Sequence, residues 1–166
     1  MHPMEIYLGL GSNIGDREAQ MRAAVKALGE KDVMVRRSAS LYATEPRDFA
    51  DQPWFLNTVL EVRTLLEPES LLSVCLEIEK TAGRVRDQLK GPRPIDIDIL
   101  IYRDRILELP SLIVPHPRYR DRRFVLIPLA ELVPDVSDPL SGLTMQQLLD
   151  LCPDEGEVRR HGDPLL

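Results

Sequence analysis

Two aspartates interrupt the most hydrophobic run of the chain. Asp96 and Asp98 lie within residues 95–102, an isoleucine-rich segment that is typical of a buried β-strand. Because successive side chains of a strand alternate between its faces, both carboxylates point to one face, roughly 7 Å apart. Two unit charges at that distance repel each other by about 2 kcal/mol at an effective dielectric constant of 20. The pair therefore predicts a bound cation.

Magnesium is the cation that two neighbouring carboxylates favour, because it prefers hard oxygen ligands and completes its shell with water and substrate phosphates. The alternative is a solvated strand face that the aspartates merely keep polar. Leu100 and Tyr102 are expected to continue the same face, and they favour the metal site over this alternative.

Basic residues flank the aspartate strand on both sides. Those before it are Arg84, Arg86, Lys90 and Arg93, and those after it are His116, Arg118, Arg120, Arg122 and Arg123. Arginine binds phosphate with two parallel hydrogen bonds, so cations around a metal predict a polyphosphate ligand. For Arg118, Arg120 and Arg123 taken individually, a solvated loop is the favoured explanation. His116 lies between two prolines, which suits a hydrogen-bond donor held in a fixed position.

Two common nucleotide-binding signatures are absent. Gly9 and Gly11 lack the third glycine of a dinucleotide fingerprint, since Ile14 occupies its position, and no Gly-Lys-Ser/Thr phosphate loop occurs. A nucleotide would therefore be held by metal and arginines.

Composition narrows the class of protein. The chain has 166 residues, 43% of them hydrophobic, and a formal net charge of −6. These values favour one soluble domain over residues 1–166 and argue against disorder or general binding to nucleic acid. With two dispersed cysteines and no run of eighteen apolar residues, we expect no disulfide framework, zinc module, signal peptide or membrane span. A cytoplasmic monomer that acts on small molecules is expected.

The elements that position these residues follow from hydrophobic periodicity and turn residues. Strands are predicted at residues 6–10, 33–44, 54–66 and 95–102, and helices from about residue 17 to 28 and from 68 to 82. This order, βαββαβ, is the split βαβ pattern of ferredoxin-like α+β folds, with a mainly antiparallel sheet and both helices on one face. A C-terminal extension adds a helix at residues 144–151, and residues after Pro153 read as a polar tail.

The chain resembles 6-hydroxymethyl-7,8-dihydropterin pyrophosphokinase, an enzyme family of folate biosynthesis, from Ile6 to about Leu151. The motifs that carry the resemblance are Leu10-Gly11-Ser12-Asn13, Gln52-Pro53-x-Phe55-Leu56-Asn57, Gly83-Arg84-Val85-Arg86, Gly91-Pro92-Arg93-x-Ile95-Asp96-Ile97-Asp98 and Val114-Pro115-His116, followed by Arg122 and Phe124. The resemblance implies a kinase-type transferase that moves pyrophosphate from ATP to the pterin hydroxymethyl group and releases AMP.

The resemblance also implies roles for individual residues. The catalytic residues would be Arg84, Arg93, Asp96 and Asp98, with two Mg²⁺ ions on the aspartates. The residues facing ATP would be Glu79, Arg84, Arg86, Arg93, Ile99, His116 and Arg122. The residues around the pterin would be Thr44, Glu45, Pro46, Phe55, Asn57 and Phe124. Phe55 and Phe124 are expected to sandwich the ring while Asn57 reads its polar edge, although residue type alone favours core positions for both phenylalanines.

The chain departs from the family's usual pattern at four positions: Leu89 and Lys90 replace a common arginine and tryptophan, Leu76 a polar residue, and Pro117 a tyrosine. Two other functions remain open on the residues alone. One is another two-metal phosphoryl or nucleotidyl transferase, which an aspartate pair on a sheet would serve equally well. The other is a ferredoxin-like module that binds a small ligand without catalysis.

Overall fold

The computed structural model describes residues 5–45, 53–83 and 94–166. Its β-strands are β1 (Ile6–Ser12), β2 (Met34–Ser38), β3 (Leu41–Thr44), β4 (Phe55–Arg63), β5 (Asp96–Tyr102), β6 (Leu107–Glu108), β7 (Ile113–Val114) and β8 (Val158–Gly162). Its α-helices are α1 (Arg17–Glu30), α2 (Pro68–Thr81), α3 (Arg123–Leu132) and α4 (Met145–Leu151). The main sheet has the strand order β5-β1-β4-β3-β8, with β2 also paired to β4, and all its pairs are antiparallel.

Local sequence explains the two helices that follow β1 and β4. The Asp16 side chain accepts a hydrogen bond from the Ala19 main-chain N–H at 3.1 Å, which caps the N-terminus of α1. Pro68 begins α2, and Gly83 follows its end with a φ of +94°, a conformation that glycine adopts without strain. Both helices are confirmed close to their predicted bounds.

The sheet separates two apolar clusters. The first packs β1, β4 and β5 against α1 and α2, through residues such as Leu8, Met21 and Cys75. The second packs the opposite face against α3 and α4, through residues such as Leu100 and Leu126. The predicted ferredoxin-like core, with its two helices on one face, is thus confirmed, and the C-terminal extension covers part of the other face.

A β-bulge changes the predicted facing of Tyr102. The register between β1 and β5 shifts at Tyr7 and Leu8, so that Leu100 has no partner on β1. The alternation of faces is inverted beyond this point. Leu100 continues the face of the aspartates as predicted, but Tyr102 packs in the first cluster, and its predicted place on the aspartate face was wrong.

Two further predictions about strands were wrong. Residues 33–44 form two strands because the regular strand is interrupted at residues 39–40, where the Thr58 hydroxyl lies 2.9 and 3.0 Å from the carbonyl oxygens of Ala39 and Ser40. Residues after Pro153 are not a polar tail. They form β8, which pairs with β3. In the part of the chain that the structure describes, no helix has the length and apolar character needed to span a bilayer.

Candidate active site

One row of cross-strand partners joins the predicted metal and pterin residues. Gly11 in β1 lies between Asp96 of β5 and Asn57 of β4, and Asn57 is paired in turn with Tyr42 of β3. Side chains of directly paired residues point to the same face of a sheet. Asp96 and Asn57 therefore share the face that carries α3, and two strand spacings place their backbones roughly 10 Å apart.

Glycine forms the floor between these two side chains. Gly9 and Gly11 put no side chain on this face, and Gly9 is the partner of Asp98 as Gly11 is of Asp96. A Cβ atom at Gly11 would lie 2.6 Å from Asn57 Oδ1, closer than non-bonded atoms approach, whereas a Cβ at Gly9 would contact Leu100 at 3.5 Å. Gly11 thus leaves room for the amide of Asn57.

The side chain of Asn57 is held in place. It is buried, and its Nδ2 donates a hydrogen bond to Thr44 Oγ1 at 2.6 Å. Asn13, in the loop after β1, donates from Nδ2 to the main-chain oxygen of Pro53 at 3.3 Å and so ties the end of β1 to the chain entering β4. The hydrogen bond to Thr44 gives the Asn57 side chain a fixed orientation beside Gly11.

Asp96 and Asp98 are half-buried on the same face, as the alternation predicts. Within residues 5–45, 53–83 and 94–166, no three His, Cys, Asp or Glu side chains cluster as a complete metal site. Two carboxylates above a glycine floor do fit a cation that keeps several water or phosphate oxygens, and magnesium has that preference.

Glu79 supports the aspartate strand from its edge. This residue of α2 is 2% exposed, and its Oε2 accepts a hydrogen bond of 2.9 Å from the main-chain N–H of Ile97, between the two aspartates. The contact fixes the strand beneath the carboxylates. The predicted role of Glu79 towards the nucleotide stays a prediction.

His116 lies beside the aspartate strand. Its main-chain N–H donates to the carbonyl oxygen of Leu100 at 2.8 Å, and its Nδ1 accepts from the N–H of Arg118 at 3.1 Å. Burial, then the charges of Arg122 and Arg118, lower the pKa of His116 to about 4, although Asp96 opposes this shift. Since Nδ1 is an acceptor, the neutral ring carries its proton on Nε2 and is a donor there.

This lowered pKa predicts a pH-dependent contribution of His116 to stability. The unfolded chain binds a proton at the ordinary pKa of 6.5, so the contribution is complete above pH 6.5 and is lost as the pH falls towards 4. Between pH 7 and pH 5 we expect the free energy of unfolding to fall by about 1–2 kcal/mol more in the wild type than in His116→Asn. Urea unfolding without magnesium or ATP measures the free energy of unfolding of both proteins. Parallel pH profiles of the two free energies would contradict the prediction.

Some of the predicted pterin residues line a cleft, and others lie on the sheet face beside it. Thr44 and Phe124 line a cleft of about 380 Å³, and the Arg122 guanidinium lies 5.8 Å from the centre of the Phe124 ring. Phe55 is half-buried, is the strand partner of Thr44, and lies on the face of Asn57. The structure therefore brings Thr44, Asn57 and Phe55 together on one face, and Phe124 borders that face from α3.

The side chains of two predicted site residues make contacts that stabilise the fold. Glu45 lines the cleft, but its Oε1 accepts a hydrogen bond from the main-chain N–H of Glu157 at 2.9 Å. Ile99 is 3% exposed and packs in the first cluster, so a nucleotide contact would come from its main chain on the outer strand β5. The predicted residues Pro46, Arg84, Arg86 and Arg93, like Leu89 and Lys90, lie outside the described residues.

Sequence reasoning did not identify the cleft residues that follow α4. Asp154, Gly156 and Val158 line the same cleft as Thr44 and Phe124. The alternation in residues 158–162 is a weak strand signal, because the segment has a single apolar side chain, Val158.

Comparison with known proteins identifies the relatives of this chain. Residues 7–134 match the family model of 7,8-dihydro-6-hydroxymethylpterin-pyrophosphokinase (HPPK). A Methylorubrum extorquens protein named 2-amino-4-hydroxy-6-hydroxymethyldihydropteridine pyrophosphokinase is 46% identical over 145 residues, which are 86% of this chain and 90% of that protein. The folic acid synthesis protein fol1 of Schizosaccharomyces pombe is 42% identical over 151 residues, covering 90% of this chain but only 21% of fol1.

A structural comparison agrees on the fold. The HPPK-DHPS structure of Plasmodium falciparum superposes with a TM-score of 0.65 at 19% identity, over 89% of this chain and 43% of that chain. The chain thus spans less than half of the Plasmodium falciparum chain and about a fifth of fol1, but 90% of the Methylorubrum protein.

Proposed function

We infer that this chain, which belongs to the 7,8-dihydro-6-hydroxymethylpterin-pyrophosphokinase family, performs ATP-dependent pyrophosphoryl transfer to a hydroxymethyl dihydropterin in folate synthesis. We propose that the transfer takes place above Gly9 and Gly11, with the nucleotide on the β5 side and the pterin on the β4 side.

The row formed by Asp96, Gly11 and Asn57 is the observation that supports this placement. It places the Asp96 carboxylate, with Asp98 two residues further along the same strand, on the face that also carries a buried amide suited to a ring edge. No side chain of β1 separates them, because residues 9 and 11 are glycines. A bicyclic ring on this floor would direct its hydroxymethyl group towards the aspartates.

Asp96 and Asp98 would hold magnesium, two ions by the family resemblance, which would neutralise phosphate charge and align the phosphates when bound. Asn57 would orient the ring, and His116 would donate its Nε2 proton in a hydrogen bond to a phosphate oxygen beside Arg122. The hydroxymethyl oxygen bonds to the β-phosphorus while the bond from that phosphorus to the oxygen bridging it to the α-phosphorus breaks, so AMP leaves with that oxygen and the hydroxyl proton is released. Arg84 and Arg93 remain proposed catalytic residues.

The product formed from ATP tests this function. The protein is incubated with ATP, magnesium and 6-hydroxymethyl-7,8-dihydropterin, and nucleotides are separated by chromatography. We expect AMP in equal amount to the pterin diphosphate, and none without the pterin. Release of ADP would point to a simple kinase, and absence of turnover to a ligand-binding module.

Replacement of Phe124 by alanine tests the pterin side. A stacked ring pair contributes roughly 0.5–1.5 kcal/mol beyond area burial, so Phe124→Ala should weaken pterin binding by about tenfold while the affinity for Mg-ATP changes little. Calorimetric titration with each ligand measures both affinities. Equal losses for both ligands, or no loss for either, would assign Phe124 to the core alone.

We also propose that the enzyme acts as a cytoplasmic monomer. Cys75 and Cys152 are free, as expected in a reducing compartment.

A further inference from the structure

The segment of residues 154–158, here called the C-terminal wall, closes one side of the cleft beside the proposed pterin site. Thr44, Glu45 and Phe124 line one part of this cleft of about 380 Å³, and residues 154 and 156–158 line the rest. The match to the family model ends at residue 134, so the wall lies outside the matched residues.

Hydrogen bonds attach the wall to the strand that carries Thr44. Val158 is the strand partner of Thr44. Just beyond that pair, the Glu45 main-chain N–H donates to the Glu157 oxygen at 3.4 Å, and the Glu157 N–H donates to Glu45 Oε1 at 2.9 Å. A Cβ at Gly156 would lie 3.1 Å from Asp154 Oδ1 and 3.5 Å from Glu45 Oε1, so glycine permits this close packing.

Asp154 attaches the wall to the opposite side of the cleft. Its Oδ2 accepts a hydrogen bond from the Arg123 main-chain N–H at 3.0 Å, and its Oδ1 accepts from the Gly156 N–H at 2.8 Å. Arg123 begins α3, and the cap residue Arg122 makes no side-chain capping bond. Asp154 thus provides a carboxylate to the first turn of α3 and sets the position of Phe124, the next residue.

We propose that the C-terminal wall is part of the pterin site and bounds the end of the ring system that points away from the transferred phosphate. This inference rests on the proposed function. The strand order places β8 four spacings from β5, roughly 19 Å, so the wall is remote from Asp96 and close to Thr44. Val158, half-buried on β8, lines the cleft beside its strand partner Thr44.

A bulkier side chain at residue 158 tests the wall. Val158→Trp should fill part of the cleft and raise KM for the pterin about tenfold, with kcat and KM for ATP changed less than twofold. The matched control is His161→Trp on the same strand, because His161 is exposed and does not line the cleft. The control should keep all three constants within twofold of the wild type. A tenfold rise in KM for ATP in Val158→Trp, or an unchanged KM for the pterin, would overturn the proposal.

Direct binding separates this proposal from the proposed function. Calorimetry measures pterin affinity in the wild type, Val158→Trp and Val158→Ala, with thermal unfolding as the check on folding. Wild-type binding without AMP formation would contradict the proposed function, while weaker binding in Val158→Trp would still support the wall. If Val158→Trp does not fold, Val158→Ala decides: a threefold or greater loss of pterin affinity supports the wall, and wild-type affinity overturns it.

Discussion

Asp96→Ala and Asp98→Ala are each expected to lose about 100-fold or more in turnover, because a metal that holds the phosphates contributes to catalysis both by alignment and by charge. Folding should be preserved. Removing one of two repelling carboxylates on a half-buried face should leave the free energy of unfolding within about 1 kcal/mol of the wild type. AMP formation at saturating ATP and urea unfolding of each variant provide the two measurements.

Asp104→Ala is the matched control for the aspartate variants. Asp104 is exposed in the turn directly after β5, so its loss changes the net charge equally without altering the proposed metal site. Its turnover should remain within twofold of the wild type. Near-normal turnover of Asp96→Ala or Asp98→Ala at saturating magnesium would contradict the metal assignment, and equal losses in all three variants would indicate a general charge effect.

Gly11→Ala is expected to weaken pterin binding strongly, although the substitution removes no polar group. The new Cβ would lie 2.6 Å from Asn57 Oδ1, and Asn57 is held at 2.6 Å from Thr44 Oγ1, so the amide must be displaced. Loss of two ring-edge hydrogen bonds at about 1 kcal/mol each corresponds to roughly thirtyfold weaker pterin binding. Overpacking of the buried amide should also lower the free energy of unfolding by about 1–3 kcal/mol.

Gly9→Ala distinguishes this steric effect from a general intolerance of side chains in β1. A Cβ at Gly9 would contact Leu100 at 3.5 Å, an ordinary van der Waals distance. Its pterin affinity, measured by calorimetry, should therefore stay within a factor of three of the wild type. Similar losses in Gly9→Ala and Gly11→Ala would contradict the role given to Asn57.

Much of the candidate site was predictable because its signals are local. Asp96 and Asp98 share a face through the alternation of a single strand, and the position of α2 follows from Pro68, an apolar stripe and Gly83. The motifs around Asn57 and His116 then identified the family, which the family match confirms over residues 7–134. The roles given to single residues within the site stay predictions.

By itself, the sequence determined the ferredoxin-like order of elements, the shared face of the aspartates and the family. Tertiary structure alone decided which distant residues meet: Gly11 with Asn57, Glu79 with the Ile97 main chain, and Glu45 with Glu157. The face of a side chain within one strand follows from backbone geometry, which neighbouring residues determine. Its neighbour on the next strand depends on pairing register, which packing and bulges across the whole sheet determine. Pairing register, and not local sequence, therefore explains the bulge that turns Tyr102 away from the aspartates. It also explains the pairing of a mostly polar β8 with β3.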